Sequence, residues 1–344
     1  MSTRKSIKAI QKRRRVRNIF LFFSVAIILL VGTGISYVYF QYEAGRTESQ
    51  QYTHQQTEQQ TLEQFQKKNQ IDDNTIIKAK EPENNEPINL LLVGVDTSEA
   101  AIARTDTIML AQYNPKNGDA KIASIMRDSY VEIPGRSKNK INASFAFGGI
   151  DLLQQTIEHN FGLNIHYYAL ANFEGFINMV DTIAPNGLEV NIERKMEDPN
   201  NSIYFEPGIQ NLNGEDTLKY VRFRKDFEND FGRVKRQQEV IKHLQNELFT
   251  ISGITKIPKV IGTLEPHLET NMRTTKLLSL GRDVVLNPVD QVETMRIPVE
   301  ESYSDAYYPH AGAVLEIDLT KNRQALADFF ETKSTLSLQL KKAD

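Results

Sequence analysis

The sequence contains no cysteine, which excludes a disulfide framework, an iron–sulfur site, a thiol nucleophile and a cysteine-ligated zinc site. It also lacks the G-x-x-x-x-G-K, G-x-S-x-G, H-E-x-x-H and G-x-G-x-x-G motifs that mark common nucleotide-binding and hydrolytic sites. The six histidines show no spacing typical of metal ligands, so we interpret them as ordinary surface or core residues. Any chemistry must therefore come from other side chains.

An excess of positive charge is also missing, since the 344 residues carry a formal net charge of only −3. That balance argues against a DNA-binding protein. The average hides an asymmetry, because residues 1–18 contain eight lysines and arginines and no acid. The remaining chain has 33 basic and 44 acidic residues, a formal charge of −11.

Residues 19–40 form the one long uncharged run, and a helix of that length would span roughly 33 Å. Eight positive charges precede the run, so the positive-inside rule places the N-terminus in the cytoplasm and the rest outside. We predict a cytoplasmic tail over residues 1–18 and a single-pass transmembrane helix over residues 19–40. A cleaved signal peptide is the alternative, but the run is long and no small-x-small cleavage site follows it.

The composition divides the chain after residue 40. Residues 41–87 are polar, with too few apolar residues for a core, and are predicted to form an extracellular stalk. From residue 88, short apolar runs alternate with helical patterns, with a hairpin turn at residues 114–118 and a helix from about 232 to 249. This alternation predicts an α/β fold, a layered α-β-α domain with a mixed central sheet. Residues 251–344 are expected to complete it with helices and one strand.

Two acidic residues lie at the end of the first predicted strand and at the start of the second. Asp96 ends the first strand, and Asp106 follows Arg104 at the start of the second. In open α/β sheets, ligands bind beyond the carboxyl ends of strands. The two carboxylates could hold Mg²⁺, which is typically bound by one or two carboxylates together with phosphate oxygens. The alternative is that both residues cap turns.

Arginines recur at the ends of other predicted elements. Arg127 and Asp128 follow a strand, and Arg222 and Arg224 alternate with apolar residues. An extended segment would place Arg222 and Arg224 on one face, where two planar guanidinium groups suit a multiply charged phosphate.

The helix predicted from about residue 232 begins with a polar group. Arg233, Arg236 and Gln237 are spaced to lie together near its N-terminus, which itself attracts anions, and Asp230 is predicted as the N-cap. Each charged group alone could be a solvated surface. Taken together, they predict an anion site, with pyrophosphate as the expected ligand.

The residues named so far also carry a resemblance to a known family. The segments cover roughly residues 88–250, in order, and resemble the motifs of the LytR-CpsA-Psr family. The matching segments are Leu90 to Asp96, Arg104 to Met109, Ser124 to Asp128, Lys140 to Gly149, Tyr220 to Arg224 and Phe231 to Gln238. Two departures, Met126 in place of a usual proline and the turn at residues 182–187, affect loop geometry and no charged residue.

The resemblance implies an enzyme of the Gram-positive cell surface. Such an enzyme moves an anionic glycopolymer, of the wall teichoic acid or capsule type, from undecaprenyl pyrophosphate to a MurNAc hydroxyl of peptidoglycan. It implies that residues 88–250 form the catalytic core, whose apolar tunnel, holding the polyprenyl chain, would use the helices near residues 150–161 and 173–180.

The resemblance also assigns site residues. A metal, Mg²⁺ or Mn²⁺, would be held by Asp96 and Asp106. The expected catalytic residues are Asp106, Arg127, Arg222 and Arg224. The pyrophosphate-binding residues that it implies are Arg104, Arg127, Arg222, Arg224, Arg233 and Gln237, with Lys140 as a further basic residue near the site. Arg236 is added to the expected binding set from its helical spacing.

Three questions stay open at the level of sequence. Asp96, Asp106 and Asp128 are all candidates for the base that receives the acceptor proton. The chain could hold a polyprenyl-linked glycan without turnover, or act as a pyrophosphatase with water as the acceptor. A DNA-binding membrane regulator is disfavoured, because 18 predicted cytoplasmic residues cannot form a helix-turn-helix.

Overall fold

The computed structural model describes residues 33–50, 78–82, 86–96, 104–289 and 291–330. The predicted cytoplasmic tail, residues 19–32 of the predicted span and most of the predicted stalk lie outside these ranges. Within them, no helix is both long enough and apolar enough to cross a bilayer.

The described chain contains nine α-helices and fourteen strands. The helices are α1 (residues 33–50), α2 (Ile141–Phe161), α3 (Phe173–Ile183), α4 (Gly214–Arg222), α5 (Asn229–Leu248), α6 (Ile251–Ile254), α7 (Ile257–Leu264), α8 (Thr274–Leu286) and α9 (Leu319–Phe329). The strands are β1 (Ile88–Asp96), β2 (Arg104–Tyr113), β3 (Ala120–Ile125), β4 (Ser129–Val131), β5 (Asn139–Lys140), β6 (Tyr167–Ala171), β7 (Leu188–Ile192), β8 (Met196–Asp198), β9 (Ile203–Phe205), β10 (Gly208–Leu212), β11 (Leu268–Thr270), β12 (Val292–Ile297), β13 (Tyr303–Tyr308) and β14 (Gly312–Ile317).

The central sheet has six strands in the order β11-β6-β1-β2-β3-β12. Strands β1, β2 and β3 form an antiparallel meander, whereas β6 is parallel to β1 and β12 is parallel to β3. A second sheet, β13-β14-β4-β5, begins where the chain leaves β3. The predicted α/β fold with a mixed central sheet is therefore confirmed.

Helices cover both faces of the central sheet. On one face α2 and α9 contribute Leu153, Ile157 and Leu326 to the main core, against alternate residues of β1 such as Leu91 and Val93. Leu90 and Thr107 point to the other face of the sheet, opposite Leu91 and Val93. On that face α8 packs against Leu90, and Gln237 of α5 donates a hydrogen bond to Thr107. Helix α3 belongs to this second layer, in a core with α5 and α7. Helices α2 and α3 contribute to different buried clusters. The lipid tunnel walled by both helices stays a prediction.

A β-bulge sits at the end of the β1–β2 pair. Gly94 pairs with Thr107 and Val95 with Thr105, so Asp106 is the extra residue of β2. Gly94 permits the close approach, since a Cβ there would lie 3.2 Å from Thr107 Cβ. Bulges bend a strand and redirect a side chain, and this bulge directs the chemistry-bearing Asp106 out of the regular alternation.

Helix α2 is broken near its start by a glycine pair. Gly148 and Gly149 both leave the helical region, and Gly149 has a φ of +63°, which favours glycine. The short first part, beginning at Ile141, therefore faces a different direction from the long apolar part that ends at Gly162.

Helix α1 packs on the domain, although its residues 41–50 were predicted to belong to a polar stalk. A Cβ on Gly45 would lie 2.2 Å from the carbonyl oxygen of Lys259, and one on Gly262 would lie 2.0 Å from that of Tyr42. The two glycines thus let α1 and α7 cross with their backbones in contact. Ser49 bonds His267 at 2.8 Å and extends the contact.

Three local predictions differ from the structure. Residues 220–225, predicted to be extended, include the last turn of α4, which ends at Arg222. Helix α5 starts at Asn229, and Asp230 lies inside its first turn instead of capping it. Strands β13 and β14 form a hairpin within the C-terminal region, where one strand was expected.

Candidate active site

Three arginines from different elements converge on Asp106. Arg127, which follows β3, binds the Oδ1 atom, and Arg224, in the loop after α4, donates from Nη2 to Oδ2 at 2.5 Å. Arg233, in the first turns of α5, places Nη1 3.5 Å from Oδ1. The bulged carboxylate is thus the centre of a group that we call the Asp106 cluster: Asp106, Asp230, Arg127, Arg224 and Arg233.

Asp230 is the second carboxylate of this cluster. It accepts a hydrogen bond from Arg127 Nε at 3.0 Å and another from Arg233 Nη2 at 2.9 Å, and Arg224 Nε lies 3.8 Å away. Its position in the first turn of α5 also favours negative charge. From the sequence, Asp230 was predicted to cap the helix, and its role as a partner of the three arginines was missed.

The charges in the cluster shift one another's ionisation. Burial raises the pKa of Asp106, but the charges of Arg127, Arg224 and Arg233 outweigh it, so the pKa lies below its ordinary value. Burial lowers the pKa of Arg127, but Asp230, Asp106 and Asp128 together raise it above its ordinary value. The Asp106 carboxylate is therefore held ionised, and a strongly ionised carboxylate is a weak proton acceptor.

Arg233 is the most buried charge of the site, with 2% of its surface exposed. Burial lowers its pKa to about 10, so it stays protonated at neutral pH. Its Nε and Nη1 atoms have no hydrogen-bond partner among the described residues. Unpaired buried donors on a cation are costly, and an anion with several oxygen acceptors would satisfy them.

A cleft of about 390 Å³ opens on the other side of Arg127. Asp128 stands in its wall, accepting from Lys140 Nζ at 2.7 Å and from Arg127 Nε at 3.3 Å. The cleft also contains residues from β5, the start of α2 and the β13–β14 turn: Asn139, Asn142, Ala143, Phe147, His310 and Ala311. Lys140, predicted near the site, is placed there.

Three predicted site residues have other surroundings. The Arg222 guanidinium lies 4.3 Å from the centre of the Phe173 ring, so the predicted common extended face with Arg224 is wrong. Arg236 binds Asp226 at 2.7 Å and the Phe223 carbonyl oxygen, clamping the loop that carries Arg224.

Gln237 also differs from its predicted placement beside Arg236. It donates to the hydroxyl of Thr107 at 3.0 Å and so joins α5 to β2 next to the bulge. Arg233, Arg236 and Gln237, which were predicted to lie together, therefore bind three different partners: Asp230, Asp226 and Thr107.

The predicted metal pair is described only in part. The side chains of Asp96 and Arg104 lie outside the described residues, although their backbones pair with each other at the end of the β1–β2 ladder. Within the described part of the chain, no group of three or more acidic or histidine side chains could hold a metal ion. Of the predicted pair, only the Asp106 side chain is described, and guanidinium groups contact both of its oxygen atoms.

Comparisons with known proteins agree with this fold and its elements. The family model of the LytR_cpsA_psr family matches residues 38–326. The regulatory protein MsrR of Staphylococcus aureus strain COL is 38% identical over 248 residues, which are 72% of this chain and 76% of MsrR. The Bacillus cereus protein TagU, described as a polyisoprenyl-teichoic acid–peptidoglycan teichoic acid transferase, is 31% identical over 70% of this chain and 79% of its own. The crystal structure of Bacillus subtilis TagV is 31% identical with a TM-score of 0.60, over 72% of this chain and 98% of that one.

Proposed function

Because the chain belongs to the LytR-CpsA-Psr family, we propose that it transfers a glycopolymer from a polyprenyl pyrophosphate to a hydroxyl of peptidoglycan. The donor is an anionic polymer of the teichoic acid or capsule type, and the acceptor is a MurNAc hydroxyl. The transferase description of TagU supports this assignment. The proposal includes the predicted N-terminal membrane anchor at the surface of a Gram-positive cell, which would keep the site near its lipid donor.

One observation carries the proposal: the unsatisfied donors of the buried Arg233. Its Nε and Nη1 groups make no hydrogen bond within the described part of the chain, and Nη1 lies 3.5 Å from the carboxylate oxygen Oδ1 of Asp106. Arginine forks match phosphate oxygens in geometry and charge. A pyrophosphate oxygen placed there would satisfy the orphaned donors and neutralise the excess of cations.

The reaction breaks a P–O bond of the pyrophosphate and forms a phosphodiester with the acceptor oxygen. Such chemistry depends mostly on positioning and on stabilising charge on the phosphate oxygens. Asp106 and Asp230 already hold Arg127, Arg224 and Arg233 close together, so the three cations are gathered before the phosphates arrive. In this mechanism the arginines exchange part of their contact with Asp106 for the phosphates and stabilise the departing polyprenyl phosphate.

We propose Mg²⁺ as the cofactor, with Mn²⁺ as the alternative. Asp106, which is ionised, lies at the start of β2, and Asp96 lies at the end of β1 that pairs with it. These two residues would hold the ion together with phosphate oxygens. When bound, the ion would withdraw charge from the phosphate oxygens. Asp106 releases both of its oxygen atoms for this role only if the guanidinium groups move to the pyrophosphate, so metal and donor are expected to bind together.

The experiment uses the full chain in detergent micelles with a polyprenyl-pyrophosphate-linked glycan and uncrosslinked peptidoglycan, in Mg²⁺ or EDTA. We expect labelled glycan on the acceptor, dependent on metal and lost in Asp106→Ala. Helix α1 packs on α7, so the chain is kept whole. Tyr307→Ala, at an exposed position on β13, is the matched control.

Each of the other outcomes contradicts the transferase assignment in a different way. Release of polyprenyl phosphate without labelled acceptor would indicate a pyrophosphatase. Tight donor binding without release of polyprenyl phosphate, repeated with several glycan donors, would indicate a binding protein.

A further inference from the structure

We infer that the cleft beside Arg127 binds the acceptor sugar, a hydroxyl-bearing glycan residue, with Asp128 facing the reacting hydroxyl. This inference rests on the proposed transferase function and names where its second substrate lies. The cleft shares Arg127 with the Asp106 cluster, so a ligand in it would lie next to the phosphate site and not within it.

The side chains of the cleft suit a neutral sugar. Asn139 and Asn142 can each donate and accept hydrogen bonds, as ring hydroxyls require. Phe147 is 43% exposed and lies in the wall, where its ring offers an apolar surface to the C–H face of a sugar. Arg136 lies 4.8 Å from the centre of that ring and holds one side of it.

The far wall of the cleft is built by the β13–β14 turn. His310 donates from Nε2 to the Lys138 carbonyl oxygen at 3.1 Å, which ties the turn to the segment before β5. Tyr130 and Tyr308 stack behind it with ring centres 4.5 Å apart. The turn is therefore braced against β4 and β5, and the cleft is a preformed site.

Charge favours the acceptor over the donor polymer as the occupant. The two cations of the cleft, Arg127 and Lys140, are each already paired with Asp128. A polymer rich in phosphate would have to compete with the carboxylate of Asp128 for these two cations. A neutral sugar hydroxyl can instead donate to that carboxylate.

Asp128 is also the described carboxylate best placed to receive the acceptor proton. Asp106 is contacted by three guanidinium groups, and Asp230 is contacted by the same three arginines. Neither carboxylate lines the cleft. Each oxygen of Asp128 accepts one hydrogen bond and retains a further lone pair. In the proposed step, the acceptor oxygen forms a bond to the glycan-linked phosphorus, its proton moves to Asp128, and the bond to the bridging oxygen breaks to release polyprenyl phosphate.

The first test measures binding without turnover. The full chain is titrated with a soluble, uncrosslinked peptidoglycan glycan strand, and the affinity is measured by calorimetry. We expect Phe147→Ala and Asn142→Ala to weaken binding five- to tenfold, with Tyr307→Ala, on the same hairpin as His310, within twofold of wild type. Unchanged affinity in both cleft variants would overturn the inference, whether or not the chain is a transferase.

The second test separates acceptor from donor. The release of polyprenyl phosphate with water as the acceptor measures the donor site alone. We expect the two cleft variants to keep the wild-type KM for the donor while the KM for the acceptor rises five- to tenfold. A raised donor KM with an unchanged acceptor KM would place the donor sugar in the cleft and overturn the assignment.

The role of Asp128 has its own readout. Asp128→Asn keeps the shape of the side chain, so we expect glycan binding within twofold of wild type and kcat for transfer lowered at least tenfold. If binding and kcat instead fall together, Asp128 is a positioning residue of the cleft and the proton-transfer step is wrong.

Discussion

Two arginines on one helix, a single turn apart, have opposite roles in the structure. Arg233 and Arg236 are both buried near the start of α5. Arg233 reaches the carboxylates of Asp106 and Asp230, and two of its nitrogen atoms have no hydrogen-bond partner among the described residues. Arg236 binds Asp226 and the Phe223 carbonyl oxygen, and only its Nε is left without such a partner.

The difference follows from what each guanidinium group faces. Arg233 faces the bulged end of β2, where carboxylates and cations from several elements meet and donors are left over for a ligand. Arg236 faces the loop after α4, where a carboxylate and a carbonyl bind it from within the protein. A buried arginine therefore indicates a ligand site only when its hydrogen-bond donors exceed the acceptors that the protein itself supplies.

The largest effect is expected for Arg233→Ala. The variant loses a charge-assisted contact to the proposed pyrophosphate, and such contacts contribute about 1.5–3 kcal/mol, so transfer should fall roughly 100-fold. Steady-state transfer by the full chain measures it. Arg233→Lys keeps the charge without the planar fork and should recover only part of the rate, and full recovery would show that geometry is unimportant.

Arg224→Ala is expected to lower transfer at least tenfold. Its guanidinium donates to Asp106 at 2.5 Å but is more exposed than Arg233, so solvent screens more of its charge. The same transfer assay measures the effect. Lys225→Ala, the next residue in the loop, is the matched control, since its ammonium group binds Asp198 outside the cluster. Equal rates in wild type and Arg224→Ala would remove Arg224 from the site.

Much of the fold follows from local patterns in the sequence. The apolar runs of β1 to β3, the turn before Gly118 and the stop of α2 at Gly162 are each set by neighbouring residues. The hairpin of β13 and β14 was missed, because no residue of β13 is buried and its exposed residues, Ser304, Asp305 and Tyr307, do not alternate regularly. The packing of α1 was missed because it depends on two glycines 217 positions apart, Gly45 and Gly262.

The site was predicted in outline and missed in its connections. Arg127, Arg224 and Arg233 belong to the Asp106 cluster, and Lys140 lines the adjoining cleft. That these residues bind an anion stays a prediction. Helix periodicity could not distinguish Arg233 from Arg236, because both lie on one side of α5 and their partners come from distant segments.

Two other errors in the predicted site have physical causes. Alternation of apolar and charged residues suggested an extended segment at Arg222, but three or four such residues also fit the last turn of an amphipathic helix. The role of Asp230 depends on Arg127, 103 positions away, which local capping rules do not include.

Arg236→Ala is expected to affect stability more than chemistry. It breaks a mostly buried ion pair and leaves Asp226 without its partner, which should lower the free energy of unfolding by about 2–3 kcal/mol. Urea unfolding of the full chain in micelles measures this loss. Transfer should fall less than tenfold, through looser placement of Arg224. If instead transfer falls 100-fold while stability is unchanged, Arg236 belongs to the site and the contrast with Arg233 disappears.

The smallest effect concerns pH and the carboxylate that orients Arg233. The folded-state pKa of Asp106 lies below its ordinary value of 3.8, so its ion pairs contribute stability that is fully present above that value. This contribution is lost as the pH falls through the lower folded-state pKa. The free energy of unfolding of the wild type should therefore drop more steeply below about pH 4 than that of Asp106→Asn, and the two should run parallel above pH 5. Urea unfolding between pH 3 and 6 measures both curves. Curves parallel throughout would mean that the guanidinium groups do not hold Asp106 ionised, and the cluster would lose the carboxylate that keeps Arg233 ready for a phosphate.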